Sequence, residues 1–584
     1  QTTPGALNPT QCYVNGNLTS NCEITFSDTG LKFGAIPNQV SGVPFSSTLS
    51  VVRLNDETKA CEVVAEQVNE VDMGMYCVNP GSCSDFTQFP YAQMTVDNTQ
   101  IDELEESGSG VVEGWTAVVT DFVDGEDLFT VQYGDAGKVK LHAKAQLPNG
   151  KVIEGVSNDF VYKPAEISLQ TVSNYSGDIL AKAGEAFSMT LQAVNADGEV
   201  TPSFGRETPQ ETLNIASIAD AVLPSENDGN IENAGNFIAQ DIGSIRFDNT
   251  TVAYTEVGNA RVTAQISDQD YLGTGTVTTD HNIGRFIPFA FEALTAEFAG
   301  TCTDFYYMGQ PQLIKLSARA VNAGGAVTAN YDGSLAKAIP LFYAYDDQSG
   351  LAELLSEHSV SENPANDWQW NNGVGQFIGS ASVTVSRLLS QQPDGPYENY
   401  ILGWQLDDQE DGNFYSVLEN SELPAMNGAA RLDSSSLYYG RVNLQDTYAA
   451  MGDVMPVAGA VEYWQGESFV TNEKDACSTF SRADIQLRDD LTAGPYPALE
   501  TAPAELSVRD GLLNPSDVDI NELFRWVSEQ ESEPYSFLFE AQVPAYLQYD
   551  WSGDGDFDKT PQAEGTFGIY RGRDRQIYWR EVGW

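Results

Sequence analysis

The stretch Lys138–Gly155, "KVKLHAKAQLPNGKVIEG", decides the fold. Val139, Leu141, Ala143 and Ala145 alternate there with Lys138, Lys140, His142 and Lys144. Only an extended strand, whose side chains point to opposite faces in turn, sorts such a run into one apolar and one polar side. A second short run follows Asn149-Gly150, the dipeptide that accepts the positive φ angles of a tight hairpin turn. The same period-two pattern, cut into short runs by Gly, Asn, Asp and Pro, recurs through most of the chain and predicts antiparallel strands. Helical periodicity is confined to "LAELLSEH" (Leu351–His358) and "SDVDINELFRWV" (Ser516–Val527), the latter with Ser516 as its cap.

Two internal echoes extend that hairpin to an architecture. "AVNADGEVTPSF" (Ala193–Phe204) returns as "AVNAGGAVTANY" (Ala320–Tyr331), each after a strand-like run. "YGDAGKVKLHA" (Tyr133–Ala143) returns as "YTEVGNARVTA" (Tyr254–Ala264), sharing Tyr-x-acid-x-Gly before the alternation. Repeated early and late strand patterns predict an all-β chain of tandem immunoglobulin-like β-sandwich modules, elongated and multidomain, with little helix. The expected divisions are a Cys-rich module at 1–96, sandwiches at 97–165, 166–290 and 291–484, and a terminal module at 485–584. A chain of 584 residues fits roughly 3–5 domains.

Composition narrows the function classes. Hydrophobic residues make up 41% and aromatics 11%, enough for folded cores. The formal charge of −55 repels nucleic acid and anionic lipid but attracts divalent cations. Such acidity suits an extracellular protein of a salty, marine setting. No apolar run approaches the 18 residues of a membrane span, and the polar opening from Gln1 reads as a mature secreted product.

Seven cysteines, Cys12, Cys22, Cys61, Cys77, Cys83, Cys302 and Cys477, form no CxxC pair, so zinc and thioredoxin-type sites are poorly supported. Five within the first 83 residues point to disulfide staples in an oxidising compartment. The local pairings are Cys12 with Cys22 and Cys61 with Cys77 or Cys83. Cys302 and Cys477 can pair across one domain, and the odd count leaves one thiol over.

Near the C-terminus, Asp550, Ser552, Asp554, Asp556 and Asp558 occupy alternate positions, with Gly553 and Gly555 between. Closely spaced hard oxygens around flexible glycines are what Ca2+ needs, and the spacing follows an EF-hand-type loop at its first, third, fifth, sixth and ninth positions. Pro561 stands where the closing Glu is normally found. The loop is read as a structural calcium site. The acidic stretches Asp121–Phe129, Ser225–Asn233 and Leu406–Asn413 lack that spacing and read as solvated turns. Beyond the loop, Arg571, Arg573, Arg575 and Arg580 cluster with Tyr578 and Trp579 in a chain otherwise short of positive charge. They form a candidate docking hairpin or satisfy neighbouring acids.

Catalytic signatures are missing. His142, His281 and His358 are the only histidines, and no GxSxG elbow, HExxH, phosphate-binding loop or dinucleotide fingerprint accompanies them. The expectation is a protein that is not an enzyme. Trp368, Trp370 and Trp404 would line a groove if the chain bound sugars, or pack in cores if it did not.

Several blocks in order, "NIGRFIPFAF", "CTDFYYMGQPQLIKLSARAVNAGGAVTANYDG", "LYYGRVNLQDTYAAMGDVMPVAGAVEYWQGESFVTNEKDAC" and "EGTFGIYRGRDRQIYWREVGW", resemble the C-terminal region of the MshQ family. These are biogenesis proteins of the mannose-sensitive haemagglutinin (MSHA) type IV pilus. The resemblance covers roughly Glu166–Trp584. It implies a secreted or cell-surface protein of a Gram-negative bacterium that acts as an adhesin or as a tip or assembly component. Minor pilins, other surface proteins or surface glycans are the implied partners. It supplies no catalytic residues. The lectin module of longer members is missing, and their Pro-Asp-His-Phe stands here as Pro288-Phe289-Ala290-Phe291. The alternatives are a filament or matrix protein, self-associating through strand edges, and a secreted carbohydrate-binding protein or carbohydrate-active enzyme.

Overall fold

The computed structural model describes residues 12–14, 17–19 and 29–568, apart from 59, 66–67, 69, 107–110, 171–177, 224–227, 236, 240–244, 301, 349, 364–366, 389–392, 409–412, 416–428, 489–496, 501–503 and 530–532. The chain divides into two compact units, Gln1–Phe289 with Asn322–Gly324, and Ala290–Val321 with Gly325–Trp584. Strands build both. The helical elements among the described residues are single 3-10 turns, and none of these is long and apolar enough to cross a membrane.

The hairpin of Lys138–Gly155 is present. Gly137–Gln146 runs antiparallel to Val152–Val156, with Ala145 opposite Ile153 and Gln146 opposite Val152. The sequence alternation survives as burial, since Val139, Leu141, Ala143 and Ala145 face the core. Gly150 closes the turn at φ +82 and donates to the Leu147 carbonyl at 2.8 Å.

The first sandwich comprises two six-stranded sheets. One centres on Glu70–Asn79 beside Gly137–Gln146; the other centres on Phe45–Leu54 beside Glu126–Tyr133. The boundary expected at 96/97 therefore falls inside one domain. Leu49, Val71 and Met73 share one core with Phe129, Leu141 and Tyr162, and the strands of the Cys-rich segment complete sheets whose other half lies after residue 97. The second sandwich packs a sheet around Phe187–Val194 and Phe247–Tyr254 on one around Gly258–Ile266 and Thr278–Ile287.

In the second unit, the third sandwich again has two six-stranded sheets, built around Gln312–Val321 and Tyr397–Asp408. The fourth begins with Gly440–Leu444. Its sheet runs from Thr447–Ala449 through Gln562–Phe567 and Tyr535–Ala541 to Ile485–Leu487, so the division expected at 484/485 also cuts one domain. Both helix expectations give way to pairing. Leu351–Leu354 is a strand hydrogen-bonded to Ala338–Gln348, its immediate neighbour in sequence. Ser516–Val527 yields one 3-10 turn, Ile520–Glu522, capped by Asp519, then the strand Arg525–Val527 that buries Trp526.

Both echoes are structural equivalents. Val194 bridges Val200 and Val321 bridges Val327. The Asn195 and Asn322 side chains accept from backbone N–H groups of their own turns. Asp135 and Glu256, the acids of Tyr-x-acid-x-Gly, are both buried, as are Tyr133 and Tyr254 before them.

Candidate functional site: two buried latches and an acidic loop

Asp135 has no exposed surface, lies in the first sandwich, and holds the second. Its carboxylate accepts the backbone N–H of Ser203 at 2.9 Å, the N–H of Ala136 at 2.7 Å and the Ser84 hydroxyl at 2.5 Å. Burial pushes its pKa up, against the pull of those donors. Around it, Asn195 donates to the Gly134 carbonyl at 3.0 Å, and the Ala196 N–H donates to the Ser41 carbonyl at 2.9 Å. Gly42 lies under this turn at φ +82, where an added Cβ would sit 3.0 Å from the Ala196 nitrogen.

A disulfide loop clasps the same junction. Cys77 pairs with Cys83, Cα atoms 5.3 Å apart. Within the loop, Asn79 binds Thr208 reciprocally, accepting its N–H at 2.9 Å and donating to its carbonyl at 3.1 Å. Arg206 reaches back to the Cys83 carbonyl and the Ser82 hydroxyl. Each bond contributes about 1 kcal/mol, and together they oppose the relative motion that domain pairs otherwise show.

The third and fourth sandwiches meet on a similar plan. Tyr307 donates to Asp475 at 2.9 Å and accepts from Asn472 at 2.8 Å. Asp475, also fully buried, takes the N–H groups of Cys477 and Ser478 and the Ser478 hydroxyl. Burial, then the Asp475 charge, pushes the Tyr307 pKa well up. The Cys302–Cys477 disulfide joins the same two sandwiches, with Cα atoms 6.3 Å apart. Arg387 adds a bond to the Ala545 carbonyl.

The acidic loop is closed at its base by a bridge between Tyr549 and Lys559. Asp550 caps it, accepting from the N–H groups of Gly553, Asp554 and Gly555 at 2.7, 3.1 and 2.8 Å. Asp554 accepts from the Asp556 N–H, which holds its carboxyl below the usual range. The Lys559 ammonium spans Asp556 and Asp558 at 3.0 and 3.2 Å. Beneath the loop, Arg441 pairs with Glu462 and stacks against Phe469, Tyr549 and Trp551. No three of the loop's carboxylates bring ligand oxygens within 4.8 Å of one another, so a hard cation would have to draw them together, with Lys559 as its competitor.

Other sequence expectations resolve simply. Cys77–Cys83 excludes either partner proposed for Cys61, which is exposed and unpaired and whose strand lies in the other sheet of the sandwich from the strand of Cys77. Cys302–Cys477 is found, but it joins two sandwiches where a pairing within one domain was expected. The Cys12–Cys22 pairing and Arg571, Arg573, Arg575, Tyr578, Trp579 and Arg580 lie outside the residues whose side chains are described. Trp368, Trp370 and Trp404 are buried, and Trp370 donates to the Ala338 carbonyl, so they are core residues and line no sugar groove. His142 packs against Trp115, and His281 meets the Ile167 carbonyl. Sequence reading missed the two junction aspartates. Only the Tyr-x-acid-x-Gly echo marked the position of Asp135.

Several comparisons bear on this arrangement. Among curated proteins none matches the chain. It is similar in solved structures to a tetra-tandem repeat in the extending region of a large adhesion protein, at 12% identity over 92% of this chain and 98% of that one, TM-score 0.24. It is also similar to protocadherin gammaB7 EC3-6, at 9% identity over 87% and 95%, TM-score 0.18. Four family domains match in order: DUF6701's first Ig-like domain at residues 9–156, its second at 160–256, its third at 256–431 and its fourth at 438–582. The chain belongs to the DUF6701 family, a domain family of unknown function, and carries all four of its domains.

Proposed function

We propose that this chain is a non-enzymatic protein of the bacterial exterior, associated with an MSHA-like type IV pilus as an adhesin or as a tip or assembly component. The observation that carries this reading is the pair of buried latches. An enzyme concentrates polar groups in an open cleft, whereas here the most deeply buried carboxylates fasten neighbouring sandwiches. Fastened domains keep a presented surface in a fixed orientation under load. The disulfides support an oxidising, extracellular setting, and the pilus association rests on the MshQ resemblance. The loop at Asp550–Asp558 is proposed as a structural calcium site, with Asp550, Ser552, Asp554, Asp556 and Asp558 supplying oxygen.

The test is cross-linking on native cells followed by affinity purification of this chain. Recovery of minor pilins supports the pilus assignment. Recovery of the chain on the cell surface with no pilin overturns that assignment and leaves a surface protein of another assembly.

A further inference from the structure

The fourth sandwich contains a groove whose lining residues belong neither to its junction with the third nor to the acidic loop. Its strand Glu505–Ser507 pairs on one side only, with Thr479–Ser481. Flanking bonds set the phase of that pairing, with Arg482 N–H to the Ala504 carbonyl and Val508 N–H to the Ser478 carbonyl. Leu506 therefore faces its partner strand with both backbone groups, while Glu505 and Ser507 turn their N–H and C=O groups the other way. No residue among those described bonds to them.

Glu505, Leu506 and Ser507 of this strand line a cavity of about 460 Å³ together with Pro515, Val518, Glu522 and Leu523. Leu506, Pro515 and Leu523 are buried, giving an apolar floor beside an unpaired strand edge. From 505 to 522 the acids Glu505, Asp510, Asp517, Asp519 and Glu522 face a single base, Arg509.

We propose that this groove binds an extended peptide segment of a basic partner protein. Unpaired strand groups select a chain in β conformation, which completes their hydrogen bonds. The cavity takes an aliphatic side chain from it, and the acidic surround favours Lys or Arg beside that anchor. The proposal does not depend on the pilus assignment.

The experiment selects a phage-displayed random heptapeptide library on the full chain at about physiological salt. The expected winners carry an aliphatic residue with Lys or Arg within two positions. A synthetic winner should bind the Val518→Lys and Glu522→Lys variants about tenfold more weakly or worse. Ser507→Pro, which removes one edge-facing N–H, should weaken it similarly while the melting temperature holds. No enrichment overturns the proposal, as do winners indifferent to Ser507→Pro and Val518→Lys, or self-association of the chain through these residues.

Discussion

The backbone N–H of Ser203, in the second sandwich, donates at 2.9 Å to the carboxylate of Asp135, in the first. The Ser203 hydroxyl also meets Ser84 at 2.8 Å. One buried acid thus satisfies donors from two domains, and neither domain alone can replace it.

Replacing Asp135 by alanine should therefore cost about 3 kcal/mol or more, because the Ser203 and Ala136 N–H groups are left buried without an acceptor, while the Ser84 hydroxyl keeps only Ser203. Asp135→Asn, which keeps one acceptor oxygen, should cost less. Calorimetry of the full chain checks this. The transition of the first unit should drop, and equal losses for Ala and Asn would contradict the role given to the carboxylate.

How legible this was depends on the range of each interaction. Strand type was legible because Val139, Leu141, Ala143 and Ala145 write their burial into a local period. The turn at Asn149-Gly150 was equally local. Domain limits were not, since Phe45–Leu54 finds Glu126–Tyr133 some 80 residues on, and nothing near either strand records the partner. The same distance hid Asp475 and Tyr307, separated by 168 residues. The helical pattern at Leu351 failed because a hairpin partner stood next to it.

The two disulfides should differ in weight. Their sequence separations are 6 and 175 residues. By loop-closure entropy, removing Cys77–Cys83 costs about 2 kcal/mol and removing Cys302–Cys477 about 5 kcal/mol. Paired Cys→Ser variants, melted separately, should destabilise the second unit more than the first. The reverse order would show that the short loop acts chiefly through its Asn79–Thr208 contact.

His358 predicts a pH dependence in the second unit. Its Nδ1 faces the Ser386 carbonyl at 2.7 Å and its Nε2 the Asp394 carboxylate at 2.9 Å. Both partners accept only, so both ring nitrogens must carry hydrogen, as in the imidazolium. Burial opposes that charge, but the bonds to Asp394 and Ser386 and the charges of Asp394 and Glu357 outweigh it and raise the pKa. A cation favoured by folding stabilises fully below its unfolded pKa of about 6.5 and loses that contribution as pH rises through the higher folded value. The second unit should thus melt lower as pH climbs above about 6.5, and His358→Gln should flatten that slope. A slope unchanged in the variant would assign it to other groups.

The acidic loop Asp550–Asp558, proposed above as a calcium site, should respond to the ion. Five oxygen-bearing side chains lie within nine residues, and the Lys559 ammonium already spans two of them, Asp556 and Asp558. Cation and ammonium would compete for those carboxylates. Adding calcium to EGTA-stripped protein should raise the melting temperature of the second unit by roughly 3 °C or more. Asp554→Ala should abolish the rise, and Lys559→Ala should bring it on at lower calcium. Titration calorimetry on the three proteins separates the outcomes. Tighter binding without Lys559 and none without Asp554 is the expected order. If wild type and Asp554→Ala both ignore calcium, the loop is an acidic turn held by Asp550 and Lys559 alone.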